Sequence, residues 1–328
     1  MGHGAGSARA PFFCLDDMRK ILTIDCEYEH PEFAAAYLVH EGQRAYFVET
    51  NTVHAVPKMM DALAQAGLKP AQVEWIIITH VHLDHAAGAY ALMEACPQAK
   101  LLCHPRARKH VVDPSRLEAS ARQVYGDETF ERLYGKLSGV PVERVYSPAD
   151  GEKIPFGSSE LEFLHTRGHA NHHFCIHDPV LSGVFTGDSF GLAYPALQKS
   201  GKHIFPSSSP TEFNAAEAKA SVQRIAATGA SFAFLTHFGT IDWIAAAKTS
   251  LLEQLEFSEQ LEKRAGASDL IGKELVKYCE AELRKFLVKY WASANLTPDH
   301  WALVKMDIEL NAAGIAYSAE KGRSTPGL

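Results

Sequence analysis

The sequence predicts a layered α/β protein followed by an all-helical appendage, and three observations carry that prediction. Strand-like and helix-like stretches are interspersed through both halves of residues 19–242. The strand-like stretches are short β-branched or aromatic runs, and several end on a histidine or aspartate beside a glycine. After Trp243, the remaining 85 or so residues keep a helical pattern with no strand signal.

Taken in order, residues 1–18 form an N-terminal tail whose first ten residues, "MGHGAGSARA", are small and flexible. "AAAYLVHEGQRAYFVET" supplies two strands, Ala35 to Val39 and Ala45 to Glu49, turned at Glu41-Gly42. A helix follows from Val56 to Ala66 and stops at Gly67. Trp75 to Ile78 is a buried strand, Ala86 to Glu94 a helix, and "AKLLCHP" another strand. Ser115 to Leu137 reads as helix, with Leu117, Val124, Phe130, Leu133 and Leu137 as packing residues. "SELEFLHT", "HFCIH", "LSGVFTG" and "SFAFLTHFG" are strands, and a helix from Glu212 to Thr228 separates the last two. The appendage, residues 243–328, reads as three helices. The first covers 243–264, and the second begins after Ser268 as N-cap. It carries Leu275, Cys279, Leu283, Phe286, Leu287 and Tyr290 on one face. The third opens at Thr297 with Pro298 at the first helical position. Tyr278, Tyr290, Trp291 and Trp301 equip this appendage to line part of a substrate pocket.

Composition narrows the function. At 328 residues, 46% hydrophobic and 22% charged, the chain has ample material for a core. A net charge of −7 argues against a nucleic acid or an anionic membrane as partner. No apolar run approaches the ~20 residues of a membrane span. The N-terminal stretch lacks a secretory hydrophobic region, so a cytoplasmic protein is expected, with a small-molecule substrate and scope for a homodimer. The six cysteines show no CxxC spacing and read as reduced, packed thiols.

The chemistry is concentrated in "EWIIITHVHLDHAAGAYALME", where three histidines and an aspartate fall within six positions of a strand-to-helix turn. Three further strand ends repeat the design. "FLHTRGHANHH" brings His169, "GVFTGDS" brings Asp188 and "FAFLTHFG" brings His237. Five histidines and two aspartates are nitrogen and oxygen ligands suited to Zn, Fe or Mn.

"THVHLDHAAG", "GHANHH", "FTGDS" and "THFG" together resemble the ordered motif set of the metallo-β-lactamase fold hydrolases over roughly residues 33–240. The resemblance implies a four-layered αββα sandwich carrying two divalent metal ions, with zinc the first expectation. It implies His80, His82 and His169 as ligands of one ion, and Asp84, His85 and His237 as ligands of the other. Asp188 would bridge them, because one carboxylate offers two oxygens. His173 is expected outside the ligand set, hydrogen-bonding to it, and His165, His172, His177 and His203 are not counted as ligands. Glu49 stands where the family carries an aspartate and is expected to orient an imidazole. The implied reaction is metal-assisted hydrolysis of an ester, thioester or lactone by a metal-bound hydroxide, with Asp84 shuttling a proton. "THVHLDHAAG" resembles the glyoxalase II-like and lactonase-like branch, although Val81 replaces a histidine common in glyoxalase II. Gly191 stands where the lactonases carry a tyrosine, and Tyr194 is displaced from that position. Two other classes share the fold, a persulfide dioxygenase with a single iron and a non-catalytic ligand-binding member.

Overall fold

The computed structural model describes residues 18–324. The expected tail therefore falls outside the described residues except for Met18. The first part of the chain runs β1 (Lys20–Asp25), β2 (Ala35–Glu41), β3 (Arg44–Val48), α1 (Val56–Gln65), β4 (Val73–Ile77), α2 (Leu83–Ala86), α3 (Ala89–Ala95) and β5 (Lys100–Leu102). Next come α4 (Arg108–Val112), α5 (Ser115–Tyr125), α6 (Asp127–Tyr134), β6 (Val145–Tyr146), β7 (Lys153–Phe156), β8 (Ser159–His165), β9 (Phe174–Asp178) and β10 (Gly183–Gly187). The rest is α7 (Pro195–Gln198), α8 (Ala215–Ala226), β11 (Phe232–Leu235), β12 (Gly239–Ile241), α9 (Ile244–Gly266), α10 (Gly272–Tyr290), α11 (Pro298–Leu303) and α12 (Lys305–Ser324).

The strands form two six-stranded sheets, ordered β1-β2-β3-β4-β5-β6 and β12-β11-β10-β9-β8-β7. In the first, β3 to β6 are parallel, and in the second only β10 and β11 are. Alternation along each strand sorts the side chains into layers. Ile76 and Ile78 face the outer helices with Leu38, Phe47, Met59 and Leu92. Ile77, between them, faces inward with Tyr46, Val48, Phe185 and Phe234, which fill the space between the sheets. Val184 points to the opposite side, against Val222 of α8 and Leu251 of α9. The order is thus helix, sheet, sheet, helix, the αββα arrangement expected, with the C-terminal helices packed on the second outer face. Removing an inter-sheet aromatic such as Phe185 would cost about 3–5 kcal/mol. Hydrogen bonds tie the sheets at the end where the ligand-bearing strands finish. Ala35 N–H reaches Thr236 O at 2.8 Å and Tyr37 O–H reaches Leu235 O at 2.5 Å.

Four expected elements are corrected. The helix read from Ala86 to Glu94 is two pieces, because Asn51 intercepts the bond that would join them. Its Nδ2 donates to Asp84 O at 2.8 Å while its own carbonyl accepts from Gly88 N at 2.8 Å. The helix read from Ser115 to Leu137 breaks at Gly126, whose φ of 77° no continuing helix tolerates. Ser268 does not cap the second appendage helix. Its hydroxyl donates to Ala265 O at 2.8 Å and so closes α9, and α10 starts at Gly272. Thr297 does cap α11, accepting from His300 N. The appendage has four α-helices rather than three, since the chain breaks again between α11 and α12. Strands β1, β6, β7 and β12 lacked an apolar run strong enough to show in the sequence. They exist because a neighbouring strand offers them a ladder.

No helix among the described residues is long and apolar enough to cross a membrane. The five described cysteines, Cys26, Cys96, Cys103, Cys175 and Cys279, are buried free thiols.

Candidate metal centre

Each predicted side chain arrives from just beyond a strand end. His80, His82, Asp84 and His85 follow β4, His169 follows β8, Asp188 follows β10 and His237 follows β11. The loop after β3 clamps the first of these segments: Thr50 N and Oγ1 both donate to His85 O, at 3.0 and 2.9 Å. At Gly187, φ is +48°, and a Cβ there would stand 2.5 Å from both His173 Nε2 and Thr79 Oγ1. Glycine is therefore required for the turn that delivers Asp188.

All seven residues converge in one cleft, in three overlapping groups able to hold a metal: His80, His82 and His169; His80, His85 and Asp188; Asp84, His85 and His237. In the first group His80 Nε2, His82 Nδ1 and His169 Nε2 lie 2.9, 3.0 and 3.2 Å apart. Asp188 sits between the groups. Its Oδ1 is 3.3 Å from His85 Nε2 and 3.8 Å from His237 Nε2, while its Oδ2 is 3.5 Å from His169 Nε2. Asp84 Oδ2 lies 3.4 Å from His237 Nε2 and 3.6 Å from His85 Nε2.

The outward nitrogens decide what the inward ones can do. His237 Nδ1 faces Phe33 O at 2.8 Å and His169 Nδ1 faces Ser207 O at 3.2 Å. A carbonyl only accepts, so both rings carry their proton on Nδ1 and turn a bare Nε2 lone pair inward. His85 Nδ1 faces the Glu49 carboxylate at 3.2 Å with the same consequence. Thr79 O–H donates to Glu49, so its oxygen is left to accept from His80 Nδ1 at 3.1 Å, and His80 too presents Nε2. Four lone pairs and two carboxylates therefore point at one another, and of the cluster's imidazoles only His82, with Nδ1 2.9 and 3.0 Å from His80 and His169, is left free by its surroundings to turn a proton inward. His85 Nε2 and Asp188 Oδ1 are buried with no hydrogen-bond partner among the described residues. A divalent cation is what such a donor set fits.

The charges show the same demand. Burial, reinforced by neighbouring imidazoles, pushes His80, His82 and His173 well below the usual histidine range. Burial would do the same to His85, but Asp188, Asp84 and Glu49 outweigh it and lift His85 to about 10. Burial would raise the Asp84 and Asp188 carboxyls, yet the imidazoles of His85 and His237 hold both low. Without a cation, these carboxylates draw a proton onto His85.

Glu49, 1% exposed, orients His85 as expected and anchors Thr79 as well. His173 lies outside the three groups, with Nε2 accepting from Asp188 N at 3.2 Å and Nδ1 between Thr166 and Ser189 hydroxyls at 2.8 and 3.0 Å. His165 turns to Pro148 O at 3.0 Å, His177 to Glu162 at 3.7 Å, and His203 packs on Trp291. His172 lies at the margin, its ring 5.7 Å from that of His82. Sequence reasoning missed Thr79, Phe33, Ser207 and Asn51. Only Thr79 left a signal, in the "TH" pair that recurs as Thr236-His237, whose threonine also donates to Glu49, at 3.3 Å. Of the aromatics expected to line a pocket, Trp291 borders a cavity with Phe205, Phe286 and Leu287. Trp291 packs with Trp301, His203 and Phe205, and Tyr290 with Phe286 and Glu253.

A two-sheet sandwich with a histidine and aspartate cluster beyond its strand ends defines a metal-binding αββα protein. The model of the metallo-β-lactamase superfamily matches residues 31–237, and the chain belongs to that superfamily. Among its relatives, the metallo-β-lactamase fold-containing protein ST1585 of Sulfurisphaera tokodaii is 25% identical over 172 residues, 51% of this chain and 60% of that protein. A solved structure of ST1585 superposes with TM-score 0.60 over 90% of this chain and 97% of that one, at 19% identity. A metallo-β-lactamase family protein of Thermus thermophilus gives TM-score 0.60 over 93% and 94%, at 20% identity. A chemotaxis sensor solved as a peroxy diiron species gives 0.52 over 72% and 91%, at 14% identity.

Proposed function

We propose that this protein is a hydrolase that uses two divalent metal ions, zinc first among them, to cleave an ester, thioester or lactone of a small molecule. The observation that carries the proposal is the place of Asp188. One of its oxygens faces His85 and His237 and the other faces His169, so a single carboxylate serves both ligand groups. His80, His82 and His169 would hold one ion, and Asp84, His85 and His237 the other. Such a pair, when bound, lowers the pKa of water and polarises a substrate carbonyl. The remaining work falls to the chain. Glu49, Phe33 and Ser207 hold the outward protons of His85, His237 and His169, which turns the Nε2 of each towards the ligand positions. Asp84, whose side chain is 27% exposed, is the one carboxylate of the cluster open to the cleft, and it is the group placed to pass a proton to a leaving oxygen or sulfur.

The surface beside the centre supports a substrate with an anionic end. An open groove of about 680 Å³ runs outward from Asn171 and His172, lined by Arg106, Arg108, Lys109 and His110 with Glu212 as its one carboxylate. Burial holds His172 near 4 and so neutral, yet Arg106, Arg108 and Lys109 against Glu212 alone leave the groove net positive in a chain of net charge −7. A negatively charged substrate would be drawn towards the ligands along it.

The test is metal analysis of the purified chain, followed by a panel of esters, thioesters and lactones in matched pairs ending in a carboxylate or an amide. Two ions per chain and a kcat/KM at least about tenfold higher for the carboxylate member at low salt are expected. One iron per chain, with oxygen uptake and no hydrolysis, would instead favour the oxygenase reading. Iron is the metal of the similar chemotaxis sensor.

A further inference from the structure

We infer that α12, the last helix of the appendage, is a positioning element of the metal centre. One of its faces, carrying Asp307, Asn311 and Gly314, sets two ligand imidazoles, one in each half. The inference rests on the ligand assignment proposed above. The three residues are spaced i, i+4 and i+7 and so share a stripe of the helix.

The first route runs to His237. Asp307, 7% exposed, accepts a hydrogen bond from the Tyr194 hydroxyl at 3.2 Å. The Tyr194 ring stacks on Phe33, with centroids 5.3 Å apart and planes 13° from parallel. Phe33 supplies the carbonyl that takes the His237 Nδ1 proton, and its ring meets the imidazole edge at 5.4 Å. Ala193, next to Tyr194, donates its N–H to the His237 carbonyl at 2.6 Å. Asp307 thus holds the tyrosine that holds the residue orienting His237.

The second route runs to His169. Asn311 Nδ2 donates to Pro206 O at 2.8 Å, and its Oδ1 accepts from Ser208 N at 2.6 Å. These bonds bracket Ser207, whose carbonyl takes the His169 Nδ1 proton. One turn further along, Gly314 allows the close approach. A Cβ on it would stand 1.6 Å from Ser208 O and 2.7 Å from Ser208 C, both backbone atoms that no side-chain rotation can move. Even alanine would push the 206–208 segment off the helix, and the His169 acceptor with it.

The bland alternative is that these contacts merely dock the appendage. The same helix provides the control. Arg323 binds Ala265, Gly266 and Leu270 carbonyls at the far end of α9, which ties α12 to the appendage and touches no segment of the centre. A docking role predicts that losing Arg323 and losing Asn311 have the same consequences. A positioning role predicts that only Asn311 affects metal binding.

The experiment strips the full-length protein of metal and titrates it with zinc against a chromophoric chelator. Cobalt is added in parallel, because its visible spectrum reports ligand geometry in each half. Asn311→Ala is expected to weaken one zinc by tenfold to a hundredfold and Asp307→Ala the other, the range found when a partner of a ligating histidine is lost. Asp307→Asn, which can still accept from Tyr194, is expected to bind as the parent does. Arg323→Ala is expected to lower the unfolding temperature of the stripped protein with both zinc affinities and the cobalt spectrum unchanged. Gly314→Ala should behave as Asn311→Ala or more severely; if it does not fold, the Asn311 and Asp307 variants decide. Zinc affinities that follow unfolding temperature alike in all the variants that fold would overturn the inference and leave the centre standing. A parent chain that binds neither zinc nor cobalt would overturn the ligand assignment and this inference with it.

Discussion

In the half formed by His80, His82 and His169, the nearest carboxylate oxygen is Asp188 Oδ2, 3.5 Å from His169. In the half formed by Asp84, His85 and His237, two carboxylates lie within 4 Å of both imidazoles, and a third, Glu49, sits behind His85. The same side chain consequently behaves in opposite ways a few ångströms apart. Burial leaves His80 and His82 neutral, whereas carboxylates overcome burial and raise His85 and His237. The first half is a set of neutral donors, and the second carries negative charge that must be neutralised by a proton or a cation. Asp188 is what the halves share, and removing it should injure both.

The largest effect is therefore expected from Asp188→Asn, which keeps the volume but replaces one ligand oxygen by a nitrogen that donates. Turnover on any accepted substrate should fall by about two orders of magnitude or more, with loss of at least one ion by elemental analysis. His173→Asn removes the acceptor for the Asp188 backbone and the ring nitrogen between Thr166 and Ser189, but none of the seven cluster side chains, and should cost about tenfold to a hundredfold at most. A variant Asp188→Asn with full metal and near-normal turnover would abolish the shared role.

A sharper cut between the halves is Glu49→Gln. It deletes the charge behind His85 while keeping an oxygen for Thr79. Zinc in the second half should weaken by about tenfold or more and zinc in the first half by less. Equal loss in both halves, measured by chelator competition, would contradict the asymmetry.

The smallest expected effect lies in the pH dependence of stability. Burial raises the Asp307 carboxyl from 3.8 to about 7, partly offset by His237 and the Tyr194 hydroxyl. A raised acid binds its proton more tightly when folded, so rising pH costs stability between about 4 and 7 and none beyond. Asp307→Asn should remove that cost. The metal-free variant should gain a few kcal/mol at most over the parent at about pH 8, and the gain should vanish towards pH 4. Thermal unfolding across that range checks it, and a gain that does not depend on pH would show that the carboxyl is not the cause.

Some of this molecule was legible without coordinates. The ligand-bearing segments announce themselves because each is local: an apolar run, a glycine or threonine, then a histidine or aspartate where the strand ends. Ile76 to Ile78 and Phe232 to Leu235 read as buried strands for the same reason. Helix breaks were less legible, since Asn51 cuts the helix after His85 from a position more than thirty residues earlier in the chain.

By itself the sequence determined the layered α/β class, the helical end and the seven side chains brought to the cleft, because strand periodicity and strand-end chemistry are properties of contiguous residues. Only the tertiary structure decided which nitrogen several of these histidines turn inward and which helix packs behind the segments that face them. The acceptors that set the rings of His237 and His169 are the backbone carbonyls of Phe33 and Ser207, and every residue type has a carbonyl. The face of α12 that carries Asp307 and Asn311 meets Tyr194 and Ser208 across more than 100 residues of chain. Such contacts leave no mark on composition or spacing.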